Sequence, residues 1–170
     1  MELSRADGGP LDPEARVPTL FGLALTFADR LAAADILPVR YGMLAGGEAA
    51  QRLFCDLDAG LIMRLEAGPV LVAGHGLGHG EGGLAAAAAL AAGGFIAIVA
   101  ASYADGFDEY CLSARLPPLE VDAPSVFHTG QRVRVNCEAG TIANLSSGDR
   151  QPIRNATDAM LERLRSVLGR

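Results

Sequence analysis

The chemistry this chain could perform is concentrated in the run Gly74-His75-Gly76-Leu77-Gly78-His79-Gly80-Glu81-Gly82-Gly83. It lies between an apolar segment that reads as a strand and an Ala-rich segment that reads as a helix. The first turn of a helix leaves backbone N–H groups unbonded and carries the positive end of the helix dipole, so anions bind there readily. Glycine lets a ligand approach the backbone and permits positive φ. Glu81 is the one carboxylate in the run, and a carboxylate at such a place is a candidate general base. His75 and His79 would share a metal if they stood four apart on a helix. In a glycine loop that geometry is not expected, and both are expected to be solvent-exposed. A structural turn with spare glycines is the plain alternative.

Gly78, Gly80 and Gly83 also satisfy G-x-G-x-x-G, the dinucleotide fingerprint. The fingerprint should begin directly after the strand, whereas Gly78 comes four residues after Gly74. Asp105, the acidic residue at ribose-binding distance, follows the next strand by several residues. A nucleotide- or anion-binding module is therefore kept only as an alternative.

The elements that must position this loop can be read from the flanking pattern. Pro69 to Ala73 is a strand, Leu84 to Ala92 a helix of strong helix formers ended by Gly93-Gly94, and Phe95 to Ala100 a second buried strand. Strand, loop, helix and strand make a βαβ unit, whose crossover is expected to be right-handed. Thr19 to Phe27 reads as a first strand. Ile36-Leu37-Pro38 leads into the loop Val39-Arg40-Tyr41-Gly42, and Glu48 to Leu57 reads as a short helix. Ala104 to Arg115 reads as another, with Phe107, Tyr110 and Cys111 on one face. Val133, Val135 and Cys137 alternate with polar residues as a half-exposed strand. Glu138-Ala139-Gly140 turns it into Thr141 to Leu145. Asp158 to Leu168 closes the chain as an amphipathic helix capped by Thr157, with Met160, Leu161, Leu164, Val167 and Leu168 inward.

Bulk composition bounds the function. At 170 residues the chain is long enough for one domain with a real core. Net charge is −6, with no Lys/Arg cluster, which argues against nucleic acid as a partner. Cys55, Cys111 and Cys137 are scattered, so neither a disulfide framework nor a metal centre held by this chain alone is expected. Met1 to Pro18 is polar and acidic, without the basic start and apolar stretch of a secretory signal. It reads as a flexible N-terminal tail, with the domain over 19–170 and a cytoplasmic location. Gly82 to Ala104 has no charge and spans a bilayer by count. Gly93-Gly94 splits it, and a buried helix followed by a buried strand explains it without a membrane.

The segment from Pro69 through the glycine loop to Ile96–Ala104 resembles the core of the aconitase-family swivel domain. That family reads I-V-G-G-x-N-F-G-C-G-S-S-R-E-H-A, then a helix, then A-V-I-A-x-S-F-A. The flanks resemble the small subunit of 3-isopropylmalate dehydratase. Asp35-Ile36-Leu37-Pro38-Val39-Arg40-Tyr41 is similar to its D-x-I-I-P-x-R-Y, and Phe54-Cys55-Asp56-Leu57-Asp58 to its F-x-x-L-D. Glu138 to Leu145 is similar to its E-T-G-x-I-x-N-L. The resemblance covers about 140 residues in the right order. It implies a single three-layer β/β/α domain of the swivelling type. It also implies a lyase of leucine biosynthesis that dehydrates and rehydrates a hydroxy acid, in a heterodimer with a large subunit carrying a [4Fe-4S] cluster. No cofactor or metal is expected on this chain.

The resemblance fails where the family's chemistry lies. With Gly78 and Gly80 on the family's G-C-G, His79 takes the place of the Cys, Glu81 and Gly82 of the two serines, and Gly83 of the arginine. Leu84 stands for the Glu and Ala85 for the His, and Ala32-Ala33-Ala34 for an upstream D-T-D. The proton-taking serine and the carboxylate-binding arginine are both gone, and Glu81 would repel a dicarboxylate. Glu81 is thus expected as a replacement base, with Arg40, Gly78, His79, Gly80, Gly82 and Gly83 on the substrate side and a substrate less anionic than isopropylmalate. Arg40 is equally readable as an ordinary surface arginine, and His128 as a surface turn residue. A non-catalytic partner or regulator of a large subunit is the alternative function, and a degenerate paralogue the next.

Overall fold

Strand β1 (Leu20–Thr26) is followed by α1 (Ala33–Ile36), a 3₁₀ turn at Val39–Tyr41, α2 (Gly46–Ala50) and α3 (Leu61–Arg64). Then come β2 (Pro69–Ala73), α4 (Gly83–Ala92), β3 (Ala97–Ala100), α5 (Phe107–Ser113) and β4 (Pro118–Glu120). A second 3₁₀ turn at Pro124–Val126 leads to β5 (Arg132–Asn136), β6 (Thr141–Asn144), β7 (Arg150–Pro152) and α6 (Asp158–Leu168). The structure is a computed structural model that describes residues 14–66 and 68–169.

All seven strands form one sheet in the order β4-β3-β2-β1-β5-β6-β7. Strands β1 to β4 are mutually parallel, and β5 to β7 are antiparallel. Alternation along each parallel strand separates two cores. Leu25, Leu71, Ala73, Ile98 and Ala100 face Ile36, Leu53, Phe54, Ala86, Leu90, Phe107 and Cys111 on the helical side. Ala24, Val70, Val72, Ala97 and Val99 face Val133, Val135, Ile142, Leu161 and Leu164 on the other side. Helices, parallel half and antiparallel half thus make three layers of β/β/α type. The two β layers are one sheet curled on itself, because β1 bonds β2 on one edge and β5 on the other.

Helix α4 is short of large side chains by design of its packing. Ala86, Ala87 and Ala89 are fully buried or nearly so, which lets the helix backbone lie close on β2 and β3. Gly82 to Ala104 divides into α4 and β3, and no described helix is long and apolar enough to cross a membrane. Thr157 caps α6 as its sequence position suggests, its Oγ1 accepting from the Met160 N–H at 3.2 Å.

Three expectations need correction. The helix expected over 48–57 stops at Ala50. Phe54 there takes a left-handed φ of 59° and donates its N–H to the Ile36 carbonyl at 2.7 Å. Its ring stacks on Phe27 at 4.9 Å, so burial of an aromatic overrides local helix propensity. The helix expected over 104–115 begins only at Phe107, and Tyr110 lies at its edge, 40% exposed, over Gly83 rather than on the inner face. Of the expected tail, residues 1–13 lie outside the described residues. Ala15 and Val17 are buried, and the Val17 N–H donates to Glu138 Oε1 at 2.8 Å.

Candidate functional site

The glycine loop runs from the end of β2 to the start of α4 and is clamped on both sides by backbone. Arg30 donates its N–H to the His75 carbonyl at 2.7 Å, Gly78 to Leu31 at 2.8 Å, and Ala33 to the His79 carbonyl at 2.9 Å. On the opposite side Leu77 donates to Ser102 at 3.1 Å, and Ala104 to Leu77 at 2.9 Å. Leu77 is fully buried as the plug of the loop. Two side chains complete the clamp. Asp29 Oδ1 accepts the His75 N–H at 2.7 Å, and Ser102 Oγ accepts the Gly76 N–H at 2.9 Å.

Glycine is required at two of these positions. Gly78 has φ 87°, and a Cβ there would stand 2.1 Å from the Phe107 ring. Gly82, also at φ 87°, is the left-handed N-cap residue from which α4 starts. Both are scaffold positions, because a side chain at either would be strained or blocked. Gly83, buried at the first turn of α4, has Tyr110 3.0 Å from where its Cβ would be.

The other expected site residues fall as follows. Glu81 and Gly80 are exposed at the loop tip, and Glu81 has no hydrogen-bond or ionic partner among the described residues. His79 is half-buried, and its Nε2 meets the Arg30 carbonyl at 2.9 Å. A carbonyl only accepts, so that nitrogen carries the proton. Arg40 is brought near the loop, because Val39 Cγ2 lies 3.8 Å from where a Gly82 Cβ would be. Its guanidinium, however, is engaged by both oxygens of Asp56 at 2.8 and 2.6 Å and lies 4.6 Å from the Tyr41 ring centre. The pairing holds the Asp56 carboxyl below its ordinary range and pushes the guanidinium up. Arg40 is thus brought beside the loop with its charge already matched.

The N–H groups of Gly74 to Gly78 all donate inside the protein. An anion at this loop would find donors only from His79 onward, which is a poor cradle for a nucleotide diphosphate. Beside the tip, Val39 and Leu84 are exposed large hydrophobics.

A second feature was not readable from any local motif. A cleft of about 560 Å³ opens at the carboxyl ends of β1, β2 and β3. Asp29, His75, Asp122, Ser125 and His128 line it over a floor that includes Val72, Ala73 and Phe127. His75 and His128, which the sequence marks only as exposed loop residues, are indeed exposed and share this one cleft. They are 53 positions apart (128 − 75), so no spacing rule could have joined them.

A metal centre finds no support in the donor set. Among the described residues no three His, Cys, Asp or Glu side chains are placed to hold an ion. Cys111 and Cys137 are buried, and burial pushes both thiols up to about 12, which keeps them protonated rather than ligating thiolates.

No protein-family model matches the chain. The 3-isopropylmalate dehydratase small subunit of Moorella thermoacetica is 31% identical over 134 residues, which cover 78% of this chain and 81% of that protein. The same subunit of Pyrobaculum neutrophilum is 31% identical over 146 residues, covering 83% and 90%. Among solved structures, that of a 3-isopropylmalate dehydratase from Methanocaldococcus jannaschii matches with a TM-score of 0.74 at 22% identity, over 79% of this chain and 81% of that one.

Proposed function

The chain belongs to the family of 3-isopropylmalate dehydratase small subunits, and we propose that it works as one, docked on a large subunit, with Glu81 as the group that moves the substrate proton. The observation that carries this reading is the loop itself. Its glycine scaffold and helix start are kept, while Glu81 is the only ionisable side chain from Gly80 to Ala92. A carboxylate at an exposed loop tip beside a helix N-terminus is suited to general-base work. With glycine at 82 and 83 and Arg40 matched by Asp56, the tip offers a dicarboxylate little positive charge, and Arg30, against Gly76 at the other end of the loop, is the exposed cation beside it. The substrate is therefore a hydroxy acid with fewer carboxylates than isopropylmalate.

The exposed Val39 and Leu84 beside the tip support pairing, because apolar side chains at the edge of a site are where a partner excludes water. In the pair, a [4Fe-4S] cluster belongs to the large subunit and would polarise the leaving hydroxyl. This chain supplies the base and the loop that positions the substrate. The bond changes are those of a reversible dehydration: a C–H proton passes to the carboxylate, the C–H electron pair forms the double bond, and the neighbouring C–O bond breaks with its pair on oxygen. The departing hydroxide takes a proton from solvent to leave as water, while the carboxylate returns its own proton to solvent.

Turnover of the complex with Glu81→Gln tests the role. A fall in kcat of about 100-fold or more with little change in KM is expected of a lost general base. Unchanged turnover would remove Glu81 as base. Among the described residues no side chain orients Glu81, which favours one second reading, a non-catalytic partner of the large subunit. On that reading, the complex forms but neither the parent chain nor the variant turns over.

A further inference from the structure

We propose that the cleft at the carboxyl ends of β1, β2 and β3 is a preformed binding site for a small aliphatic ammonium compound. Neither the glycine tip nor the pairing with a large subunit enters this inference. The cleft takes Gly74 and His75 from the start of the loop and none of Gly78 to Gly83.

Its place and size come first. Open α/β sheets bind ligands beyond the carboxyl ends of their parallel strands, and about 560 Å³ is room for a small organic molecule. The cleft also sits where β1 turns the sheet from parallel to antiparallel pairing.

Its charge comes second. The lining includes two carboxylates, Asp29 and Asp122, and no lysine or arginine; Asp122 is paired with Arg154 at 3.2 Å, so Asp29 is the carboxylate of the lining without an ion-pair partner among the described residues. Ser125 and the imidazoles of His75 and His128 add hydrogen-bonding groups. Val72, Ala73, Pro124 and Phe127 make the rest of the surface apolar. An ammonium group on a short aliphatic body matches that pattern, and a carboxylate opposes it.

Its rigidity comes third. Each polar wall is held from behind. Asp29 Oδ1 is fixed by the His75 N–H at 2.7 Å, and His75 Nδ1 lies 3.4 Å from Ser102 Oγ. Asp122 is held by Arg154 at 3.2 Å. The His128 N–H donates to Gln131 Oε1 at 2.8 Å, and Asn144 Nδ2 donates to the same oxygen at 2.7 Å and to the Val126 carbonyl at 3.1 Å. Gln151 grips Ala123 through both ends of its amide, at 2.8 and 2.7 Å. Asn144 and Gln151 are the two buried polar side chains of the described residues, and both are used to place this wall. Buried amide networks of this kind fix a unique position for what they hold.

The test is an imidazole NMR titration of the full chain at pH 7.5 with three probes of one shape: n-butylamine, 1-butanol and butyrate. The chain has three histidines, so His79, which is outside the cleft, is the internal reference. Saturable shifts of His75 and His128 with n-butylamine are expected, with His79 unmoved and with 1-butanol and butyrate at least about tenfold weaker. Asp29→Asn and Asp122→Asn keep the Oδ1 acceptor that the neighbouring donor needs and remove the charge. Each should weaken n-butylamine several-fold while spectra elsewhere stay those of the parent. Butyrate binding as well as n-butylamine, shifts that ignore both substitutions, or no saturable shift with any probe would each overturn the proposal. None of these results depends on a large subunit or on turnover.

Discussion

The glycine loop and the cleft wall at 122–131 are both irregular segments, yet they are held by opposite means. The loop is fixed almost wholly by its own backbone: five consecutive N–H groups donate inward, and glycines let Phe107 and Tyr110 close over it. The wall is fixed by side chains that reach across from the antiparallel layer, Asn144 and Gln151, with Gln131 of the wall itself joining Asn144 to the His128 N–H. A segment held by backbone can exchange its side chains and keep its shape. That is how such a loop can keep its backbone shape while the side chains at 79 and 81 vary. A segment held by side chains has no such freedom.

Substitutions break this contrast in a definite order. Gly78→Val should be the most damaging, because it adds a left-handed strain to a clash with the Phe107 ring. The two together cost about 3–5 kcal/mol, read as a lower denaturant midpoint. Asn144→Ala should cost about 2–3 kcal/mol. It strips the donors to Val126 and Gln131 and the acceptor shared by the N–H groups of Ser146 and Ser147. By contrast Glu81→Gln should leave stability within about 0.5 kcal/mol of the parent, since the loop does not use that side chain.

An ionic contact offers a smaller and pH-dependent comparison. Glu138 binds Arg165 through both oxygens, at 2.9 and 2.5 Å, and accepts the Val17 N–H. Those partners, Arg165 first, hold its carboxyl below the ordinary glutamate value. A depressed folded value means that the stabilisation is present above the unfolded value and is lost as pH falls through the folded one. Glu138→Gln should therefore cost about 1–2 kcal/mol at pH 7. The difference from the parent should shrink below about pH 4.5, which paired denaturation curves would show.

How much of this was legible in the sequence follows the range of the interactions. The unit β2–loop–α4–β3 was readable because strong local signals agree: five apolar residues, glycines, then nine residues from Leu84 to Ala92 without a helix breaker before Gly93-Gly94. The β5–β6 hairpin and α6 with its Thr157 cap were readable for the same reason. Strands β4 and β7 were not, because Pro118–Glu120 and Arg150–Pro152 are three residues each and contain proline. Their pairing is decided by the strand beside them. Phe54 ended a helix that its own neighbours favour, because its ring finds Phe27 and Phe95. The glycine tip and Glu81 were legible as a motif. Asp29, His75, Asp122 and His128 carry no common motif, and only the curl of the sheet brings them to one cleft.

The central claim is that this chain works as the small subunit of a two-chain hydro-lyase. Affinity purification of the tagged chain from its native host under anaerobic conditions tests it most directly. The account predicts a stoichiometric second chain of the aconitase type and a brown eluate with iron–sulfur absorbance. Recovery of this chain alone and colourless, at full yield, would contradict it.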